Sequence, residues 1–472
     1  MTATITGPDA SAVPTAPTGL PLPPKNPLPY LRRLTATRRF DTGFELLRDS
    51  GGSVTRNVLG PRWIMPPLVI VSSPKGAHDV LARTDAFVER AATPIALEIR
   101  RLMGDNLLVV PHHEWLPRRR ELQPIFTKHH VPRFAGRMAE VAELLADRWV
   151  LGAAVDLDAE CRALTLRALG HSILGIDLGH RPEALGTALR TSIKWAADRG
   201  SRPINPPHWW PTRGQRRARA AGAALHTLAA QMLHVCRADP ARDAPLVRTL
   251  LQTIDPQTGQ PLSDRAICDE LVLFLLAGHD TTSTALTYAL WALGHRPDLQ
   301  QRVAAEADAL GGHRLTHEDV PALRYTVQVL HEALRLCPPA PAVGRMVMAD
   351  IEVDGYRLPA GTVALVAIYA LHRDPALWED PLRFDPDRFS PERCRGRDRW
   401  QYLPFGGGPR ACIGDHFAML EATLALATIL RRVKIDSLSG DFPTITPLTM
   451  IAAAPVRANV GPHADRSNRR IR

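Results

Sequence analysis

Cys412 ends a glycine-rich loop, Phe405-Gly406-Gly407-Gly408-Pro409-Arg410-Ala411-Cys412-Ile413-Gly414, and leads into Asp415-His416-Phe417-Ala418-Met419-Leu420-Glu421, which reads as a helix. Gly406, Gly407 and Gly408 allow a sharp turn and a close approach to a flat ligand. A thiol at a helix N-terminus beside Arg410 is expected to favour thiolate, the metal-binding form. His416 is the one further Cys or His at short spacing from Cys412, too few for a zinc site, and Pro409-Arg410-Ala411 occupies the place of the Gly-Lys-Ser/Thr of a phosphate loop. A free cysteine can also be a small core residue. A lone thiolate on such a loop suits a haem iron with one protein ligand.

Other segments offer chemistry of their own. The longest helical run starts at Ser263, a good N-cap, and stops near Gly294-His295-Arg296-Pro297. In its middle stands Ala277-Gly278-His279-Asp280-Thr281-Thr282-Ser283, a polar cluster that is costly inside an apolar helix unless satisfied or used. Two readings are open: a kink stabilised by Thr and Ser, or a groove for oxygen and water with Asp280 feeding protons. Gly278 has no side chain to block a ligand there. Glu332 and Arg335 share a face at i and i+3, which alone is a routine ion pair. Arg388, in Phe384-Asp385-Pro386-Asp387-Arg388-Phe389, is placed to join them. Trp115 and Arg119 are one turn apart, so an indole N–H and a guanidinium could meet one carboxylate.

The elements that must position these groups are mainly helical, from about residue 135 to 336, with a few strands. Ser53 to Leu59 and Leu68 to Val71 read as a hairpin; Ile351 to Leu358 and Thr362 to Ile368 read as further strands of the same sheet. Residues 1–29 form a Pro-rich, mobile lead-in, 30–460 one domain, and 461–472 a solvated basic tail. Four prolines break the helices between Ser201 and Thr212, and Trp209 and Trp210 are expected to pack beneath that loop rather than touch a membrane.

The net charge of +10 is carried almost wholly by arginine, with only five lysines, and no basic stripe with interleaved aromatics speaks for nucleic acid. An acidic protein partner fits that charge better. Six scattered cysteines, no signal-like start and no apolar run near the ~20 residues of a membrane span lead to the expectation of a soluble, cytoplasmic protein.

Together these segments resemble the cytochrome P-450 haem-thiolate monooxygenases, in order, over about residues 20 to 460. The cysteine loop fills F-x-x-G-x-R-x-C-x-G. Ala277, Gly278, Asp280, Thr281 and Thr282 meet A/G-G-x-D/E-T-T/S; Glu332 and Arg335 are E-x-x-R; Trp115 and Arg119 are W-x-x-x-R; Pro386-Asp387-Arg388-Phe389 is the arginine motif. The resemblance implies a mainly α fold with small sheets (α+β), holding haem b between the long central helix and the helix after the cysteine loop. It implies Cys412 as iron ligand, Phe405 and Gly414 around it, and Ala277 and Gly278 beside the cofactor. Trp115, Arg119, Arg345 and Arg410 would neutralise the propionates. Glu332, Arg335 and Arg388 would lock the core, while Asp280 and Thr281 would supply and position protons. The turn Pro111-His112-His113-Glu114 departs from the glycine-containing turn of many relatives, and Pro117 is expected in the helix's first turn.

The implied activity is hydroxylation of a lipophilic small molecule (fatty acid, sterol or terpenoid-like) with O2. Two electrons would come from a ferredoxin and ferredoxin reductase or an equivalent donor. Arg118, Arg120, Arg395, Arg397 and Arg399 are the docking candidates. Substrate choice falls to Phe87–Val110, Trp195–Pro211, Leu273–His279 and Ala340–Met346. A peroxide-using haem-thiolate enzyme and a non-catalytic haem sensor are the alternatives.

Overall fold

Helical periodicity is realised as helices laid around one long central helix, described in a computed structural model for residues 19–463 except 63–64, 84–86, 180–181, 203 and 256–257. The helices that frame the interior are α1 (Pro94–Met103), α2 (His112–Leu122), α3 (Leu157–Leu169), α4 (Pro182–Gly200), α5 (Arg213–Ala238), α6 (Asp264–Gly294), α7 (Arg324–Leu336) and α8 (Asp415–Arg432). Ser263 caps α6 as expected, its Oγ accepting the Ala266 N–H at 3.2 Å. From Ile267 to Leu276 every residue of α6 is buried, so this helix is apolar on nearly all sides and lies inside the protein. α3, α5, α7 and α8 pack around it.

Five strands, β1 (Val54–Asn57), β2 (Leu68–Val71), β3 (Val88–Glu89), β4 (Val343–Val347) and β5 (Val363–Val366), form one sheet in the order β1-β2-β5-β4-β3. β2 and β5 run parallel and the other pairs antiparallel; Arg345 lies opposite Ala364. Small sheets elsewhere complete a mainly helical architecture.

Several expectations need correction. Ile351–Val353 and Tyr356–Leu358 do not join the main sheet; they pair with each other across Asp354-Gly355. Both turn residues have positive φ (50° and 82°), the tight hairpin turn that Asp-Gly favours. α2 begins at His112, so Pro117 falls in its interior and not in its first turn. Part of the Pro-rich lead-in is fastened down: Asn26 is buried, donates from Nδ2 to Leu47 O at 2.8 Å, and pairs through its N–H with Arg56 O at 3.0 Å. Residues 1–18 and the tail 464–472 lie outside the described residues. The loop between α4 and α5 carries Trp209 and Trp210 outward, 75% and 55% exposed, rather than packing them beneath it. Pro203 of that loop is outside the described residues. Among the described residues no helix is long and apolar enough to cross a membrane.

Candidate active site

α6, β4 and the loop before α8 enclose a largely apolar cavity of about 680 Å³. Ala277, Gly278 and Thr281 line it from α6, Arg345 from β4, and Phe405, Arg410, Cys412 and Gly414 from the loop. Ala277 and Cys412 are accessible although they sit deep in the fold, because the surface they expose is the wall of this cavity.

The loop is closed by the Cys412 N–H, which donates to Phe405 O at 2.9 Å, and by Arg119, whose Nη1 donates to Ala411 O at 2.9 Å. Its glycines answer to what packs outside it. Gly406 and Gly408 have φ of +69° and +71°; a Cβ at Gly407 would lie 2.5 Å from the Trp400 ring, and one at Gly408 would run into the Leu81 carbonyl. The sequence argument assigned these glycines to the ligand side, and the geometry places much of the demand on the far side. Burial pushes the Cys412 thiol up from its ordinary range, although the Gly414 N–H and the guanidiniums of Arg119 and Arg90 pull the other way. The expected preference for thiolate is therefore not supplied by the protein alone. Arg410 turns instead to Glu89 (3.1 Å) and Val110 O (3.0 Å).

At the cavity edge Arg410 pairs with Glu89 at 3.1 Å, and Arg90 and Arg345 line the cavity near them, with that one carboxylate close to all three. Burial, with Arg410 nearby, pushes Arg90 down to about 10; burial, with Arg90 and Arg410 nearby, pushes Arg345 well down. Such an excess of buried positive charge suits a dianion such as a pair of haem propionates, so the residues present fit haem. Trp115 and Arg119 do not line the cavity. Trp115 lies behind Arg410, whose guanidinium is 4.7 Å from its ring centroid, and Arg119 grips the cysteine loop and Gln123. Sequence reasoning missed Arg90 and Glu89, which carry no motif and are brought there by β3.

On α6, Thr281 donates from Oγ1 to Ala277 O at 2.6 Å, a bond back to the carbonyl one turn earlier. Asp280 points away from the cavity into the contact with α3, where Arg162 donates to Oδ1 and His279 Nδ1 lies 2.9 Å away. Burial would raise this carboxyl, but His279 and Arg162 hold it below the usual range. His279, expected on the substrate wall, is buried beside it. Gly278 is small for a second reason: a Cβ there would sit 2.8 Å from Leu169 of α3. Arg162 was invisible in the sequence because its i,i+4 spacing from Asp158 is that of a surface pair.

Glu332 and Arg335 are far from a surface pair. Both are fully buried and meet in a fork of 2.7 and 2.8 Å. Arg335 also holds the carbonyls of His372 and Pro381, and Arg388 Nε lies 3.4 Å from Glu332. Two docking candidates turn inward: Arg118 binds Glu270 and Asp105 O, and Arg397 lies 4.7 Å over the Trp378 ring. Arg120, Arg395 and Arg399 are exposed.

Residues 21–461 match the cytochrome P-450 family. Cyclooctatin synthase of Streptomyces melanosporofaciens is 33% identical over 451 residues, covering 94% of each chain. Cyclooctat-9-en-7-ol 5-monooxygenase of the same organism is 36% identical over 72% of this chain and 75% of its own. Pentalenene oxygenase of Streptomyces avermitilis is 29% identical over 71% and 75%. The crystal structure of a mutant cytochrome P-450DA heme domain superposes with a TM-score of 0.80 at 27% identity, over 95% of this chain and 98% of that one. Cavity, cysteine loop and guanidinium edge thus occur in a chain that belongs to the cytochrome P-450 family of haem monooxygenases.

Proposed function

We propose that this chain hydroxylates a cyclic terpenoid, using O2 and two electrons from a separate ferredoxin and reductase or an equivalent donor. The observation that carries the reading is one apolar cavity onto which Cys412, Thr281 and a guanidinium cluster all open. Relatives named for cyclooctatin, cyclooctat-9-en-7-ol and pentalenene favour a ring terpenoid over a fatty acid or sterol.

Bound haem b supplies the oxygen activation and the C–H hydroxylation. Cys412 Sγ would ligate its iron; Phe405 and Gly414 line the cavity beside Cys412, and Ala277 and Gly278 would border the cofactor from α6. Arg90, Arg345 and Arg410 would neutralise the propionates, and Trp115 and Arg119 would brace Arg410 and the cysteine loop. The Thr281 hydroxyl is the proton donor on the cavity wall. Asp280 is held as the carboxylate by Arg162 and His279; on leaving that pair it would take up a proton from solvent and, turned toward the wall, pass it to the Thr281 hydroxyl. Aliphatic walls from α1 and α6 exclude water. Glu332, Arg335 and Arg388 hold the segment 372–388 beneath the site. Arg120, Arg395 and Arg399 would receive the acidic donor; Arg399 lies 5.3 Å over Trp400, which packs on Gly407.

Reconstitution with a surrogate ferredoxin and reductase tests this. A cyclic terpene should yield an oxygenated product dependent on both proteins and NAD(P)H. Equal or better turnover of a fatty acid, or none of any substrate, would contradict the assignment.

A further inference from the structure

Two adjacent carboxylates on α6, Asp269 and Glu270, are 4% and 1% exposed and do not face the cavity. Both are committed to the turn between α1 and α2. The Asp105 N–H donates to Asp269 Oδ2 at 2.9 Å, and the Leu107 N–H donates to Glu270 Oε2 at 3.1 Å. Arg118 of α2 completes the grip, with Nη1 donating to Glu270 Oε1 at 3.1 Å and to Asp105 O at 2.8 Å. Asp269 also ties in α5, its Oδ1 lying 2.8 Å from His226 Nε2. Gly104, at φ +75°, leaves room for this contact; a Cβ there would run into the Asp269 carboxylate. The next residues after the clamped turn, Leu108 and Val109, line the cavity.

Burying a carboxylate is expensive, and here burial pushes Glu270 up to about 7 in spite of Arg118 and the Leu107 N–H. A turn needing only stability could be held by apolar contacts, which serve as well as a buried ion pair or better. Directional bonds to two backbone N–H groups fix its position instead.

We propose that Asp269 and Glu270 are positioning residues for the substrate: they fix the Leu108–Val109 wall over the cavity and so select among bulky ligands. The proposal rests on the haem reading of the cavity given above. Its test compares two probes in the haem-loaded protein, imidazole, a single small ring, and clotrimazole, a bulky azole. Both are read by the shift of the Soret band. Glu270→Gln puts an NH2 that cannot accept where one of the two carboxylate oxygens accepts from Arg118 or the Leu107 N–H, and should weaken clotrimazole about tenfold while leaving imidazole within twofold. Glu270→Asp, which keeps the charge, should recover part of the loss. Leu108→Ala should change clotrimazole affinity in the wild type and much less in Glu270→Gln. Equal changes for both azoles, or none, would overturn the proposal. Should Glu270→Gln fail to load haem, the same pair of affinities in Asp269→Asn decides. If imidazole shifts no band even in the wild type, the reading of the cavity itself fails and the proposal falls with it.

Discussion

Asp280 and Thr281 are neighbours on α6 that face different ways: Thr281 opens onto the cavity, and Asp280 turns to Arg162 on α3. A proton passed from one to the other therefore requires the carboxylate to leave a buried ion pair.

That arrangement separates the two residues kinetically. Asp280→Asn should lower kcat about 100-fold, in the range for loss of a positioned proton-transfer group, with substrate affinity within twofold. Thr281→Ala should keep reductant consumption and divert it to hydrogen peroxide. Product and peroxide measured against NAD(P)H consumed decide the matter; full coupling in both variants would show that neither carries protons.

The Glu332 carboxylate is shared by Arg335, Arg388 and the Asp385 N–H. Glu332→Ala leaves two buried guanidiniums without it, and about 3–5 kcal/mol of stability should be lost. A wild-type denaturation midpoint in this variant would contradict the structural role.

Acid should weaken the same region. His372 accepts the Leu403 N–H at its Nε2 (2.8 Å) and must be neutral to do so; burial holds it at about 3, and burial holds His331 at about 4. The unfolded chain takes up these protons from about pH 6.5 downward, and the folded one does not. Their contribution is complete above pH 6.5 and is lost as pH falls toward the folded values, about 2 kcal/mol each by pH 5. His372→Gln, which can still accept from Leu403, should flatten the stability profile between pH 6.5 and 4. An unchanged slope would contradict the assignment.

Gly408 is required by its left-handed backbone and by the Leu81 carbonyl against it. Gly408→Ala should displace the cysteine loop and lower haem content severalfold while the far-ultraviolet circular dichroism stays helical. Full haem content would show that the loop tolerates the shift.

The cysteine loop, the cap at Ser263 and the Glu332–Arg335 pair were legible because each is a local pattern with a local cause. The hairpin at Asp354-Gly355 was equally local and was overlooked, its turn residues being read as part of one continuous strand. Arg90 and Arg162 were not legible: each is one arginine among many, and only packing brings them to Cys412 and Asp280. The direction of Asp280 was hidden for the same reason, since adjacent positions on a helix point about 100° apart and the sequence does not say which one faces the cavity. The outward Trp209 and Trp210 defied an expectation built on average burial, which a loop with few neighbours does not obey.

The most direct test is the carbon monoxide difference spectrum of the dithionite-reduced protein, wild type beside Cys412→Ala. Thiolate-ligated haem predicts a strongly red-shifted Soret band in the wild type and its loss in Cys412→Ala. A wild type without haem, or a band indifferent to the loss of Cys412, would contradict the assignment of this residue as the iron ligand.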